Sequence, residues 1–302
     1  MSNKALIVGF GSIGNRHYKI LSDMDEFDSV AVVSQQSNLP VDSFGSLDEA
    51  KDFAPDYVVI ASETHKHHEQ LKFLIENFSP KNILVEKPLF ESFREIDKSS
   101  IPIFVGYNLR FHPCIKKARE LIRDQEIKAV YSSCHSYLPE WRDKPYQDTY
   151  SASKARGGGV LLDLSHEIDL IMWLFGEVEI DFVKHGRFSN LSLDCEDSFL
   201  LSGTLPNKAP VELSLSYFSH ISKREFHIVT SELSILIDLV TNVIRVKGLG
   251  ESLVTEESMD SFEINQTYIN QHKEIISSNI INTCRISEGM MVNKFIDKLI
   301  CW

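Results

Sequence analysis

The stretch Ala5-Leu6-Ile7-Val8-Gly9-Phe10-Gly11-Ser12-Ile13-Gly14 decides the fold. Four consecutive apolar residues read as a strand buried on both faces, and glycines at 9, 11 and 14 follow directly. Gly9 permits a tight turn, Gly11 leaves room for a pyrophosphate against the backbone, and Gly14 lets a helix approach the sheet. The helix predicted over Ser12 to Leu21 offers its first N–H groups, those of Ser12 and Ile13 included, to phosphate oxygens. A second apolar run, Val30 to Val33, completes a strand, glycine turn, helix, strand unit. That order opens a parallel sheet and points to a bound dinucleotide.

Working outward, the alternation continues. Ser46 to Lys51 and Lys66 to Asn77 read as helices, and Tyr57 to Ala61, Ile83 to Val85 and Ile103 to Val105 as strands. Such uniformly apolar strands between helices argue for a doubly wound sheet over roughly the first 115 residues. A linking helix is predicted over His112 to Arg123, with Ile115, Ala118 and Ile122 inward. The rhythm then changes. Val130 to Tyr137 is strand-like, Leu138 to Arg156 is polar and aromatic, and Gly157-Gly158-Gly159 precedes one apolar helix over Val160 to Leu174. Further strands follow at Ile180 to His185, Asp197 to Leu205, Val211 to Phe218, Arg224 to Thr230, Ser234 to Asp238 and Val243 to Val246. Turn signals at Pro206-Asn207, Thr241-Asn242 and Lys247-Gly248 suit hairpins. Helices near Ile264 to Ile280 and Arg285 to Leu299 close the chain.

These elements predict an α/β dinucleotide-binding domain over 1–118. A second, α+β domain over 119–302 should carry a mostly antiparallel open sheet of about six strands, with helices on one face, and bind substrate. The uncovered face invites self-association as a homodimer or homotetramer.

With 31 basic and 43 acidic residues among 302, the formal charge is −12, and no Lys/Arg run appears, so a nucleic-acid binder is not expected. No apolar stretch reaches membrane-spanning length, and the apolar run after Lys4 is too short for a signal peptide, so a soluble, cytoplasmic protein is expected. Cys114, Cys134, Cys195, Cys284 and Cys301 stand singly and form neither a zinc pattern nor a disulfide framework.

Three polar residues carry the expected chemistry. Lys87, in Glu86-Lys87-Pro88, follows a strand at the edge where doubly wound folds bind ligands, and its amine can polarise a carbonyl or hydroxyl oxygen. Asp163 and His166 lie three apart on the predicted apolar helix and so share a face, with Asp169 continuing the line. A carboxylate among Leu161, Leu162, Leu164 and Ile168 needs a partner or a purpose. Either these groups are local architecture, with Asp163 capping backbone, or they are acid–base machinery. Helical spacing also admits a metal, but no further cluster completes a ligand set, so none is expected. At the end of the second strand, Val33-Ser34-Gln35-Gln36 lacks the carboxylate usual for NAD. Ser34 could donate to either form of the ribose, Arg16 or His17 could meet a 2′-phosphate, and the balance leans to tolerance of NADP.

The chain resembles the Gfo/Idh/MocA family of NAD(P)-dependent sugar and cyclitol oxidoreductases. The resemblance rests on Gly9 to Gly14, on Ala61-Ser62-Glu63-Thr64-His65-Lys66-His67, on Val85-Glu86-Lys87-Pro88-Leu89, on Gly106-Tyr107-Asn108-Leu109-Arg110-Phe111-His112-Pro113 and on Gly157 to Asp169. It implies a Rossmann first domain, with NAD or NADP held by Gly9, Gly11, Ser12, Ile13, Gly14, Ser34, Ser62, His67, Glu86 and Lys87. It also implies that Lys87 holds the nicotinamide ribose and the reacting oxygen. Asp163 would orient substrate, and His166 would donate or accept the proton. Arg110 would help shape the junction between cofactor and substrate and, with Asp163, bind a sugar-type substrate. By their own chemistry Trp141 and Arg142, in the 138–156 stretch expected to line a cleft between domains, offer an aromatic face and a cation to that substrate; the alternative is an ordinary surface loop with packing aromatics. Relatives place that aspartate and histidine four apart, whereas here the spacing is three, a rotation of about 100° on a helix. The forms GFGSIGNRH and LLDLSHEIDL are similar to a branch from bacterial surface-sugar biosynthesis, including nonulosonic acids. The implied function is hydride transfer to or from a secondary alcohol or keto carbon of a sugar, sugar nucleotide or cyclitol. The rivals are an NAD-dependent glycosidase using transient oxidation and a non-catalytic dinucleotide sensor.

Overall fold

A computed structural model describes residues 3–96 and 98–302; Met1, Ser2 and Asp97 lie outside the described residues. The chain divides into two compact units. The first runs through Asn108 and takes back Asn265–Lys294, and the second comprises Leu109–Ile264 and Phe295–Trp302. The chain therefore changes unit at 108/109, not at 118/119, and returns once.

The first unit begins with β1 (Lys4–Val8), α1 (Ser12–Ser22), β2 (Ser29–Val33), β3 (Ser43–Phe44), β4 (Tyr57–Ile60), α2 (His67–Asn77), β5 (Asn82–Val85) and β6 (Ile103–Val105). Where a helix was expected at Ser46 to Lys51, there are turns and a single 3-10 turn at Lys51–Phe53. In the second unit, α3 (Pro113–Leu121) leads to β7 (Ile127–Tyr137), and α4 (Val160–Asp163) and α5 (Ser165–Phe175) follow a chain of short 3-10 turns. The remaining strands of this unit are β8 (Glu179–Gly186), β9 (Ser198–Thr204), β10 (Pro210–Ser216), β11 (Phe218–Thr230), β12 (Leu233–Asp238), β13 (Val243–Gly248) and β14 (Thr255–Ser258). The chain ends with α6 (Asn265–Ile276), β15 (Cys284–Arg285) and α7 (Ile286–Ile300).

Among the described residues, the first unit holds a seven-stranded sheet in the order β15-β6-β5-β4-β1-β2-β3. Every pair in it is parallel except β15 against β6. Ile7 lies level with Val32 on one side and Val59 on the other, and all three are fully buried. Burial on both faces explains why these strands read as unbroken apolar runs. Ile20 and Leu21 of α1 and Tyr268 and Ile275 of α6 join the same core, so the returning segment belongs to this unit by packing.

The second unit's sheet has eight strands among the described residues, ordered β14-β13-β12-β11-β7-β10-β9-β8, with β7 and β10 parallel and the other pairs antiparallel. Its strands alternate. Val211, Leu213 and Leu215 of β10 are buried, while Glu212 between them is exposed. Helices α3, α4 and α5 pack on one face, against β12, β9 and β10, and β7 respectively. The other face leaves Tyr131, Phe182 and Leu200 exposed. Among the described residues, no helix is long and apolar enough to cross a membrane.

Candidate active site

In the first unit the glycines divide into two kinds. Gly9 has φ +99°, and a Cβ there would come within 2.7 Å of the Ser62 backbone. A Cβ on Gly14 would stand 2.1 Å from the Gly9 carbonyl oxygen. These two glycines are demanded by the chain's own packing. Gly11 is different, because among the described residues nothing beyond its own chain neighbours lies within 4 Å of where its Cβ would be. No side chain caps α1, and its first turn carries no acid, so Ser12 and Ile13 begin a helix with open donors and a field that favours anions. The residues present therefore fit a dinucleotide's pyrophosphate.

Around this loop the expected cofactor residues fall into place unevenly. Ser34 accepts the Gln36 N–H through its Oγ at 3.2 Å. Gln36 in turn donates its side-chain amide to the Phe10 carbonyl at 3.0 Å, tying the end of β2 to the glycine loop. Sequence reasoning overlooked Gln36; its position three residues past the strand was the only signal. Ser62 donates to Gln70 at 2.6 Å. His67 is 1% exposed, with Nε2 3.1 Å from the Ser62 carbonyl and Nδ1 3.2 Å from those of Pro88 and Leu89. Burial pushes its pKa down. It is a brace between two loops and presents no open face to a cofactor. His17, entertained as a phosphate contact, is wholly buried, and Arg16 lies over the Tyr268 ring at 5.2 Å.

Lys87 is half-buried. Its backbone N–H donates to Glu86 Oε2 at 3.0 Å, and the Lys87–Pro88 peptide is cis. Glu86 is buried, with Oε1 2.9 Å from His17 Nε2.

The second unit corrects the helix expected over Val160 to Leu174. The chain breaks at Leu164, whose φ −99° and ψ 26° leave helical geometry, so α4 ends at Asp163 and α5 starts at Ser165. A face shared through three-residue spacing therefore does not follow from helix geometry, and Asp163 and His166 stand on either side of the break. Both are buried. Asp163 Oδ2 accepts the Tyr217 hydroxyl at 2.6 Å. Burial and the Asp163 charge push Tyr217 well above the ordinary phenol range, and the same two causes raise Tyr150. Asp163 is thus an acceptor of phenol hydroxyls and not a backbone cap. Tyr217 was missed, since only the turn after β10 brings it to Asp163.

Asp169 does not continue a line toward a ligand. Its two oxygens take Arg110 Nε at 3.0 Å and Nη2 at 2.7 Å, with both side chains almost fully buried. Arg110 was expected to bind substrate; at 2% exposure it instead clamps the 109–111 turn to α5. Trp141 donates to Ser136 at 3.0 Å and meets Tyr217 edge-on at 5.3 Å. Arg142 reaches Ser151 at 3.3 Å and lies over the Tyr150 ring at 5.3 Å. These two surround the Asp163–tyrosine cluster. Among the described residues, no group of three or more His, Cys, Asp or Glu side chains is arranged to hold a metal.

The first unit's parallel sheet, with the glycine turn of residues 9–14 between β1 and α1, is the Rossmann fold of an NAD-binding domain. The chain belongs to the Gfo/Idh/MocA family: residues 3–100 match the oxidoreductase family's NAD-binding Rossmann fold, and residues 115–236 match the family's C-terminal domain. Among curated relatives, 2,7-anhydro-N-acetylneuraminate hydratase of Mediterraneibacter gnavus is 24% identical over 185 residues, covering 56% of this chain and 48% of that protein. The aligned part spans between about a third and three fifths of the length of the curated relatives matched. Levoglucosan dehydrogenase, solved with NADH and levoglucosan, superposes with TM-score 0.85 at 17% identity, covering 100% of this chain and 96% of that one. The transcriptional regulator Gal80p of Kluyveromyces lactis superposes with TM-score 0.81 at 15% identity, covering 100% and 89%. At such identities the two superpositions establish the fold alone.

Proposed function

We propose that the protein transfers hydride between NAD(P) and a secondary alcohol or keto carbon of a sugar, sugar nucleotide or cyclitol. The observation that carries this reading is the buried Asp163, held by a tyrosine and followed across the helix break by His166, in a chain that also carries an NAD seat. Bound NAD supplies a hydride acceptor, or in its reduced form a donor. Gly9, Gly11, Ser12, Ile13 and Gly14 hold its pyrophosphate, and Ser34, Ser62, Glu86 and Lys87 line the remainder of the seat. The Lys87 amine stabilises negative charge developing on the reacting oxygen. His166 takes the hydroxyl proton in oxidation and returns it in reduction. Tyr217 keeps Asp163 in place to fix the substrate, and Trp141 and Arg142 offer an aromatic face and a cation to its ring and acidic groups. Arg110 acts at one remove, by holding α5.

A panel of uronic acids, nucleotide sugars, amino sugars and inositols, followed by the absorbance of reduced nicotinamide with both cofactors, tests the reading. The panel should include acidic nine-carbon sugars, since one relative is named for an N-acetylneuraminate derivative. On the substrate found, Lys87→Met and His166→Ala should each lower turnover about 10²–10⁴-fold. Near-normal turnover in either removes that residue from the chemistry. NADH and NADPH titrations side by side check the NADP tolerance that Ser34 allows.

The same relative is named a hydratase, which favours a second reading: oxidation followed by elimination or addition and re-reduction. Product formation with no net change in cofactor supports that route. The remaining rival is a non-catalytic dinucleotide sensor, whose mark is NADH binding without turnover across the panel. A second copy of this chain is the proposed cover for the exposed sheet face, where Tyr131, Phe182 and Leu200 stand open.

A further inference from the structure

A chain of four titratable side chains crosses the interior of the first unit, and the proposed proton transfer makes no use of it. Glu86 Oε1 lies 2.9 Å from His17 Nε2, His17 Nδ1 lies 2.9 Å from His272 Nε2, and His272 Nδ1 lies 2.9 Å from the Tyr57 hydroxyl. The four belong to four segments: Glu86 just past β5, His17 on α1, His272 on α6 and Tyr57 on β4. None is more than 6% exposed. Burial, with His17 as second cause, holds His272 well below the ordinary histidine range. Burial and the Glu86 charge push the Tyr57 hydroxyl well above its own. Both groups therefore stay neutral.

A neutral imidazole donates at one nitrogen and accepts at the other. One arrangement uses each donor once: the Tyr57 hydroxyl donates to His272 Nδ1, His272 Nε2–H to His17 Nδ1, and His17 Nε2–H to Glu86. The chain of bonds ends on the carboxylate. The other oxygen of Glu86 accepts the Lys87 backbone N–H at 3.0 Å. Gly106 presses on the same carboxyl, since a Cβ there would stand 2.9 Å from it. Around His17 the remaining facing groups are Tyr268, edge-on at 5.5 Å, and Arg16, which lies over that tyrosine.

We propose that His17 is a positioning residue for Lys87: by holding one oxygen of Glu86 it aims the other at the Lys87 amide, fixing the backbone from which the amine projects. The proposal rests on the functional reading above only for the importance of Lys87 to turnover. Because His17 stands on α1, one imidazole ties the helix behind the glycine loop to the loop that carries the lysine.

Protein labelled with 15N-lysine reports the Lys87 amide directly, with its resonance assigned by its loss in Lys87→Arg. Glutamine places an amide nitrogen near the Nε2 position, and asparagine places its carbonyl oxygen near the Nδ1 position. His17→Gln thus keeps a donor for Glu86, whereas His17→Asn keeps only the contact with His272. The Lys87 resonance should stay near its wild-type position in His17→Gln. In His17→Asn it should move upfield, as a bond to a well-held carboxylate is lost, and its hydrogen exchange should accelerate about 10-fold. An unmoved Lys87 amide in a folded His17→Asn protein, checked by circular dichroism, overturns the proposal. Should either variant fail to fold, the wild-type imidazole 15N spectrum decides: His17 protonated at Nε2 supports the chain of bonds, and protonation at Nδ1 alone overturns it. A Lys87 dispensable for turnover sinks the functional reading and leaves this contact standing.

Discussion

His112 caps α3 with Nδ1, which accepts the Cys114 N–H at 3.3 Å, while Nε2 donates to Asn242 Oδ1 at 3.1 Å. The cap requires the neutral ring, since a protonated Nδ1 cannot accept, whereas the donation to Asn242 persists in either state. Burial, the largest cause, together with the Arg224 charge, outweighs the raising influence of Asn242 and lowers the pKa from 6.5 to about 4. Between those values the unfolded chain binds a proton that the folded chain refuses. This contribution to stability is therefore complete above pH 6.5 and is lost as the pH falls toward 4. The loss amounts to about 3 kcal/mol. Denaturant titrations across this window should show a flatter pH dependence in His112→Asn, which keeps a capping oxygen without the titration; equal slopes reject the assignment. The Arg110–Asp169 pair makes a second test at this scale. Asp169→Leu leaves a buried guanidinium without its carboxylate and should cost about 3–5 kcal/mol in urea unfolding.

At the scale of elements, the glycine loop separates what the fold needs from what a ligand needs. Gly14→Ala drives a methyl into the Gly9 carbonyl and should lower both the melting temperature and NADH affinity. Gly11→Ala meets none of the described residues beyond its chain neighbours within 4 Å, so it should melt like the parent while NADH binding weakens about 10-fold or more. Equal NADH affinity in Gly11→Ala would remove the pyrophosphate from that place. Glycines are demanded by packing again just before α4. A Cβ on Gly158 would lie 2.2 Å from the Tyr150 carbonyl oxygen, and Gly159 sits at φ +126° with Glu196 against it. Gly158→Ala should cost roughly 1–3 kcal/mol and disturb the tyrosines around Asp163, which near-ultraviolet circular dichroism can read. The break between α4 and α5 was not legible as sequence. Leu161, Leu162, Leu164 and Ile168 continue an apolar helical pattern straight through it, and local propensity contains nothing that stops a helix at leucine.

At the scale of the whole molecule, the second unit's sheet offers a large test. Tyr131 and Leu200 are each 42% exposed, and Tyr131 lies against the His227 ring at 5.8 Å, on the sheet face opposite α3, α4 and α5. If a second copy covers this face, Tyr131→Glu with Leu200→Glu should lower the mass seen by analytical ultracentrifugation while circular dichroism holds. An unchanged mass sets that cover aside. The chain's organisation also exceeds what a linear reading supplies. A single boundary was expected near residue 118, yet the first unit recovers Asn265–Lys294 through α6 and β15. A two-residue strand such as Cys284–Arg285 carries no periodicity, and only its pairing with β6 makes it one.

The residues by themselves determined the strand–glycine–helix unit, the two classes of sheet and the family. Such features are local: an apolar run, a glycine and a turn act through their own backbone and near neighbours. Tertiary structure alone decided that His67 and Arg110 are braces, that Tyr217 belongs with Asp163, and that His17, His272 and Tyr57 meet behind Glu86. Most of those partners lie between 21 and 255 residues apart along the chain. Their pairing follows from burial, which obliges each polar group taken out of water to find a hydrogen-bond partner wherever the packed elements bring one.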